Sequence, residues 1–411
     1  MADDALPTIL QLTPLDEDYR RDPAAVLAKL RSACPVHHDA FSGATFVSRY
    51  SDVRSVATDL TLWRDPLRAD PESRRLQRFD PPDLNLPRSE TFSILTLDDP
   101  DHARIRGPLS RALYARVAKF KPEVERIVDE ALDRIGDQAE VDLMDLFCVP
   151  IPIDVIASIL GVPHDRLEDF RDWSEGLIQG LNPFRNPDQT AHMERSSLAL
   201  TAYFTEALAD RRAHPRDDLI SDMVRLQGEG TPISDTELRI NLTALLVGGN
   251  LTTTDLIGNG ARLLMLNPSE KAKLMADPGL AAALVEEVLR FDPPVDATSR
   301  VASRDLEISG CPIAKTRSVN LLLRGANRDP DAFENPDAFD ITRKKVPHMS
   351  FGGGAHICIG APLARLEAQV ALPRLFARYP DLALADPTEE PAWRKLPFFR
   401  GLETLRVRTG A

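Results

Sequence analysis

The residues best placed to do chemistry lie in one stretch, Phe351-Gly352-Gly353-Gly354-Ala355-His356-Ile357-Cys358-Ile359-Gly360. Three successive glycines make an open loop free of side chains, and a helical run begins at Ala361-Pro362-Leu363, so the loop delivers Cys358 to the positive end of a helix. That end favours a thiolate over a thiol, and a thiolate flanked by bare backbone suits a sulfur-ligated metal centre against which a flat group can lie. A zinc site fits less well, because His356 and Cys358 at i, i+2 leave the remaining ligands unaccounted for. A second stretch, Leu246-Val247-Gly248-Gly249-Asn250-Leu251-Thr252-Thr253, places two adjacent glycines inside a long apolar helical pattern. Each glycine costs about 1 kcal/mol there relative to alanine, so the pair needs a reason: close approach of a large planar group, or a kink for packing. Two further pairs stand at helical spacing, His102 with Arg106 and Glu287 with Arg290; taken singly, such pairs are ordinary surface charge.

Taken in chain order, these motifs resemble those of the cytochrome P-450 monooxygenases, a soluble bacterial-type member above all, and the likeness runs along nearly the whole chain. The resemblance implies the cytochrome P-450 fold, a haem b (iron protoporphyrin IX) cofactor and Cys358 as the iron ligand, with Phe351 and Gly360 framing the haem loop. Asp99-Pro100-Asp101-His102-Ala103-Arg104-Ile105-Arg106 is similar to the family helix that binds a haem propionate, so four donors are expected to converge: His102, Arg106, Arg300 and His356. Gly248, Gly249 and Thr252 match the helix that passes over the distal haem face and holds dioxygen. One position departs from the family pattern: Leu251 stands where an acid precedes the threonine, so proton delivery is expected to be atypical. Leu245, Leu251, Val295, Thr298 and Phe399 are the expected substrate pocket, and their apolar character points to a hydrophobic small molecule. Glu287 and Arg290 match the family's buried structural pair. Its usual third member, an arginine, is replaced by Ala338, so Arg328 or Arg343 is expected to complete it.

The implied reaction inserts one oxygen atom of O2 into the substrate. With no fused flavin or iron-sulfur module in the sequence, electrons are expected from a separate ferredoxin and ferredoxin reductase. Arg111, Arg116, Lys119, Lys344, Lys345 and Arg365 are candidates for a basic docking patch. The alternatives are a haem-thiolate enzyme that uses peroxide or works like a nitric-oxide reductase, for which Leu251 speaks, and a non-catalytic haem-binding protein.

The elements that must position these residues read as mainly α with a small β region, forming a single domain over 1–411. Helical periods cover Ala25 to Ser32, Ser51 to Leu60 with Ser51 as cap, the run from Asp101, Lys121 to Ile135, Val155 to Leu160, Arg166 to Ile178, Glu194 to Arg212 and Leu284 to Phe291. Ser234-Asp235-Thr236-Glu237 is a capping box opening a helix of about 32 residues to Leu266, roughly 48 Å long. Short strands are expected at Thr45 to Ser48, Leu306 to Ile308, Val319 to Leu323 and Leu402 to Val407. Proline-rich Trp63 to Ser93 and the Gly180 to Pro187 segment read as pocket-roofing loops, with Phe79, Leu84 and Leu86 as apolar contacts of the first.

Composition sets the outer bounds. A net charge of -13 argues against a nucleic-acid binder. Asp145 and Asp154 interrupt the longest apolar run, so no membrane span is expected, and the acidic Met-Ala-Asp-Asp start lacks the marks of a signal peptide; a cytoplasmic monomer is the expectation. Cys34, Cys148 and Cys311 lie far apart in no paired spacing and read as buried or incidental thiols.

Overall fold

The computed structural model describes residues 6–74, 76 and 86–410. Its longest element grows from the capping box: the Ser234 side chain accepts from the Glu237 backbone N–H and the Glu237 carboxylate accepts from that of Ser234, which fixes the first turn of a helix over Asp235–Leu266. Numbering helices in chain order among the described residues, those before it are α1 (Glu17–Arg21), α2 (Pro23–Ala33), α3 (Tyr50–Thr58), α4 (Asp101–Val117), α5 (Lys121–Ile135), α6 (Pro150–Leu160), α7 (Leu167–Ile178), α8 (Pro187–Ala213) and α9 (Leu219–Gly228). The long helix is α10; α11 (Pro268–Ala276), α12 (Ala281–Phe291), α13 (Leu323–Asn327) and α14 (Ala361–Arg378) follow.

α10 runs through the largest apolar cluster, packed against α6, α7, α8, α12 and α14. Its buried face includes Leu238, Leu242, Leu245, Leu246, Leu256, Ile257, Leu263 and Leu264, and burying side chains of this size contributes about 1.5–3 kcal/mol each. Asn267, with Pro268 opening the next helix, ends the run at the expected place.

The β structure is confined to small sheets. β1 (Val36–His38), β2 (Thr45–Val47), β4 (Ala297–Val301) and β7 (Ser318–Leu322) form a sheet in the order β1-β2-β7-β4, with β2 and β7 parallel and the other pairs antiparallel. β3 (Glu140–Asp142), β9 (Arg406–Arg408) and β8 (Ala383–Leu384) form a second in the order β3-β9-β8, and β5 (Leu306–Ile308) pairs with β6 (Cys311–Ile313).

Several expectations are corrected. Ser51 does not cap its helix: α3 already begins at Tyr50, behind Arg49 with no side-chain cap, so Ser51 sits within the first turn. α6 and α8 begin well before the predicted Val155 and Glu194, because Pro150 and Pro187 occupy the opening turn, where a missing N–H costs nothing, instead of breaking the helix. The last strand is Arg406–Arg408 rather than Leu402 to Val407. Leu86 is exposed, while Phe79 and Leu84 lie outside the described residues. Cys34 and Cys311, remote in sequence, come near enough that charge on Cys311 helps raise the Cys34 pKa, after burial. Among the described residues, no helix is long and apolar enough to cross a membrane.

Candidate active site

The Cys358 loop is shaped by its glycines for reasons the sequence leaves undivided. Gly354 has a φ of +67°, and a Cβ there would come within 2.8 Å of the Ala57 carbonyl oxygen at the end of α3; one on Gly353 would meet the Thr58 methyl at 3.2 Å. A side chain at Gly354 is thus excluded by both conformation and contact. Backbone N–H of Cys358 donates to the Phe351 carbonyl at 2.9 Å, closing the loop, and α14 starts at Ala361 behind Gly360. Cys358 is exposed at the surface of the loop, yet the protein atoms gathered round its sulfur push the thiol above its ordinary value; the N–H groups of Gly360 and Ala361 and the charges of Arg106 and Arg365 pull the other way without prevailing. The helix end on which the thiolate expectation rests is therefore present but outweighed by desolvation.

The four expected donors meet beside this loop. The His102 and His356 rings lie 4.1 Å apart, centroid to centroid. Arg106, on the same face of α4 as His102, donates to the Ile357 carbonyl. Arg300, from β4, donates to the carbonyls of Ala57 at 2.9 Å and Gly353 at 3.2 Å, tying sheet, α3 and loop together. A fifth donor was not singled out in the sequence: Arg64 bonds the Ser299 carbonyl and hydroxyl at 2.8 and 2.7 Å, next door to Arg300.

Crowding of like charge leaves its mark. Burial, then His102, Arg64, Arg300 and Arg106, depress the His356 imidazole to about 2, while burial and Arg300 lower Arg64 to about 10. His102 Nε2 and His356 Nδ1 are buried without a hydrogen-bond partner. Buried donors of this kind, gathered around a loop with one cysteine, fit a ligand carrying carboxylates, as the propionates of haem do.

On α10 the two glycines part company. A Cβ on Gly248 would meet nothing within 4 Å, whereas one on Gly249 would touch Ile156 of α6 at 3.4 Å. Space for a planar group fits Gly248; helix packing accounts for Gly249. The Thr252 hydroxyl donates to the Gly248 carbonyl at 2.9 Å, leaving its lone pairs to accept, and half-buried Leu251 brings no exchangeable proton. Val295 and Phe399 are joined by an isolated β-bridge; Leu245 belongs to the main core cluster and Thr298 to β4, facing Leu321 across the ladder.

Behind the loop, Glu287 and Arg290 are wholly buried and doubly bonded at 2.8 Å each. Arg290 also donates to the carbonyls of Asn327, Pro336 and Ala338, so the backbone at Ala338 does part of what an arginine there would do. The third member is Arg343, whose Nε reaches Glu287 at 3.3 Å; Arg328 instead stacks on Phe291 and bonds Asp337.

The sequence reading also passed over Glu286, Asp255 and Glu367. Glu286 accepts from Arg365 at 2.6 and 2.9 Å and pairs with His348 at 3.1 Å; burial opposes its ionisation, yet those bonds prevail and hold the carboxyl at about 2. Arg365 in turn lies over the Phe351 ring, so its charge is engaged in holding the loop rather than free for docking. Arg116 is similarly spent on Asp217 and Asp222. Glu367 on α14 is buried with one oxygen unpartnered, and desolvation drives its pKa well up. A lone acid in an apolar helical window was the available signal for Asp255 and Glu367.

Comparison with known proteins agrees with this arrangement. The profile of the family described as Cytochrome P450 matches residues 279–391. Cytochrome P450 107B1 of Saccharopolyspora erythraea is 38% identical over 376 residues, 90% of each chain. The 6-deoxyerythronolide B hydroxylase of the same organism is 34% identical over 400 residues, covering 95% of this chain and 97% of that one. Among solved structures, the cytochrome P450 enzyme CxnD for C-S bond formation in chuangxinmycin biosynthesis superposes with a TM-score of 0.87 at 34% identity, covering 100% of this chain and 98% of that one. The chain belongs to the cytochrome P450 family, and is a monooxygenase whose cofactor is haem b.

Proposed function

We propose that the chain works as one unit over residues 1–411, inserting an oxygen atom of O2 into a hydrophobic small molecule with electrons from a separate ferredoxin and its reductase. The observation that carries the assignment of the site is the gathering of His102, Arg106, Arg300, His356 and Arg64 beside the Cys358 loop, with His102 Nε2 and His356 Nδ1 buried and without a partner, a set suited to carboxylates. Cys358 would ligate the iron and those five would hold the propionates, with Phe351 and Gly360 at the loop's ends. The haem-thiolate centre supplies, when bound, the oxidising power to attack an unactivated C–H bond.

Everything else falls to the chain's own groups. Gly248 keeps the helix flank clear, and the Thr252 hydroxyl, its proton held by the Gly248 carbonyl, presents lone pairs that accept a bond from water. Oxygen cleavage consumes two protons, and Leu251 can supply neither, so another route carries them: Asn250 with ordered water, a polar substrate or a carboxylate elsewhere. Val295 and Phe399, with Leu245, Leu251 and Thr298, exclude water and orient the substrate.

The test is optical. Reduced protein under carbon monoxide should give the absorption band of thiolate-ligated haem, and Cys358→Ala should abolish it; a band that survives this substitution overturns the ligand assignment. Oxygen-dependent product with ferredoxin, reductase and reduced nicotinamide supports the proposed reaction, whereas product from peroxide alone favours the peroxide-using alternative, which rests on Leu251.

A further inference from the structure

In the second half of α10 lies a wholly buried carboxylate, Asp255, three residues beyond Thr252 and one turn beyond Leu251. Both its oxygens accept from Nη1 of Arg394, at 2.9 and 3.0 Å. Gly401 lies so close that a Cβ there would stand 1.8 Å from Oδ1.

Arg394 and Gly401 are the base of a hairpin. The Arg394 N–H donates to the Gly401 carbonyl at 2.8 Å, Trp393 bridges Leu402, and the Glu403 N–H donates to Ala392 at 2.7 Å. At its tip stands Phe399, bridged to Val295, beside Phe398 with a φ of +64°. A bulky residue avoids that conformation, so its neighbours must hold it. The Phe398 carbonyl accepts from Asp296 at 2.8 Å, and the Arg400 carbonyl accepts from Asn259, one turn beyond Asp255, at 3.2 Å.

We propose that the Asp255–Arg394 ion pair is a latch that seats this hairpin on α10 and thereby sets where Phe399 stands in the substrate pocket. Asp255 is then a positioning residue for substrate selection, and α10 serves both faces of the reaction, the oxygen side through Thr252 and the substrate side through Asp255. A buried carboxylate with a single cationic partner is an expensive way to hold a loop, because losing Arg394, itself partly exposed, leaves the wholly buried Asp255 charge stranded. An apolar pair would hold the two segments together but would not fix one register of hairpin on helix.

The inference rests on the pocket reading above, and the experiment separates the two. Imidazole and 4-phenylimidazole bind ferric haem through the same nitrogen, but only the second carries a ring that must find room among the pocket walls. Their dissociation constants, measured by the optical shift in wild type, Asp255→Asn, Arg394→Gln and the double variant, give a ratio that reports the walls and cancels changes at the iron. The latch predicts that the preference for 4-phenylimidazole changes by roughly tenfold, about 1.4 kcal/mol, in either single variant and no further in the double. Thermal midpoints alone falling, with an unchanged ratio in whichever single variant folds, would assign Asp255 to stability only and overturn the proposal. A wild type without the carbon monoxide band would instead defeat the haem-site reading itself.

Discussion

At Leu251 the side chain can neither ionise nor donate, while its neighbour Thr252 keeps a hydroxyl, which donates to the Gly248 carbonyl. A positioned acid contributes about 10²–10⁴ in rate where no substitute exists, but water would be a partial substitute, and the Gly248 flank, where a Cβ would meet nothing within 4 Å, leaves room for it. Leu251→Asp is therefore expected to raise product formed per reduced nicotinamide by about tenfold at most, with a matching fall in peroxide released. Equal yields and equal peroxide in the two proteins would show that protons arrive by a route independent of this position. The residues at this scale were legible where a family motif fixes them in order: Cys358, His356, His102 and Arg106 come together as the resemblance implies. Arg64 was not legible, because nothing near Trp63 marks an arginine that will find Ser299 more than two hundred residues away.

Among elements, the lesson is that one local signal can answer two needs. The glycine pair of α10 reads as a single notch, yet Gly249 lets Ile156 of α6 approach and Gly248 alone leaves free space. Helix bodies were legible from their periodicity, and α5 and α10 end where the pattern ends. Helix starts at Pro150 and Pro187 were not, because a proline can open a helix or break one and only tertiary packing decides. α12 also does more than its Glu287–Arg290 motif suggests, since its neighbour Glu286 grips Arg365, and Arg365 covers Phe351 at the entrance to the cysteine loop. The Glu286 carboxyl is held at about 2 in the folded protein, below its ordinary value of 4.5, so its ionised form stabilises the fold above about pH 4.5 and that contribution is lost as pH falls towards 2. On the order of 2 to 3 kcal/mol is at stake. Glu286→Gln should lower the thermal midpoint near neutrality, and the gap from wild type should narrow steadily as the pH is brought from about 5 towards about 2. A gap that stays constant over that range would mean that the Glu286 charge contributes nothing to stability.

For the molecule as a whole, the net charge of -13 sets a problem that single contacts do not. An acidic ferredoxin is repelled by such a protein at long range, so docking requires a local basic surface whose field dominates within about 10 Å, the screening length near 0.1 M salt. Of the six basic residues considered for that role, Arg116 and Arg365 are committed to Asp217, Asp222 and Glu286, which leaves Arg111, Lys119, Lys344 and Lys345, all exposed. Lys344 and Lys345 lie in the segment between Arg343, which braces Glu287, and His348, which leads into the cysteine loop. Reversing both, as Lys344→Glu with Lys345→Glu, should slow electron transfer from a reduced acidic ferredoxin by roughly tenfold at low ionic strength, with the difference shrinking as salt is added. Chemical reduction by dithionite and the carbon monoxide band should be unaffected, because neither lysine touches the buried donors. If the ferredoxin reaction kept its rate and its salt dependence, the docking surface would lie elsewhere, and the search would move to Arg111 and Lys119 on and just beyond α4.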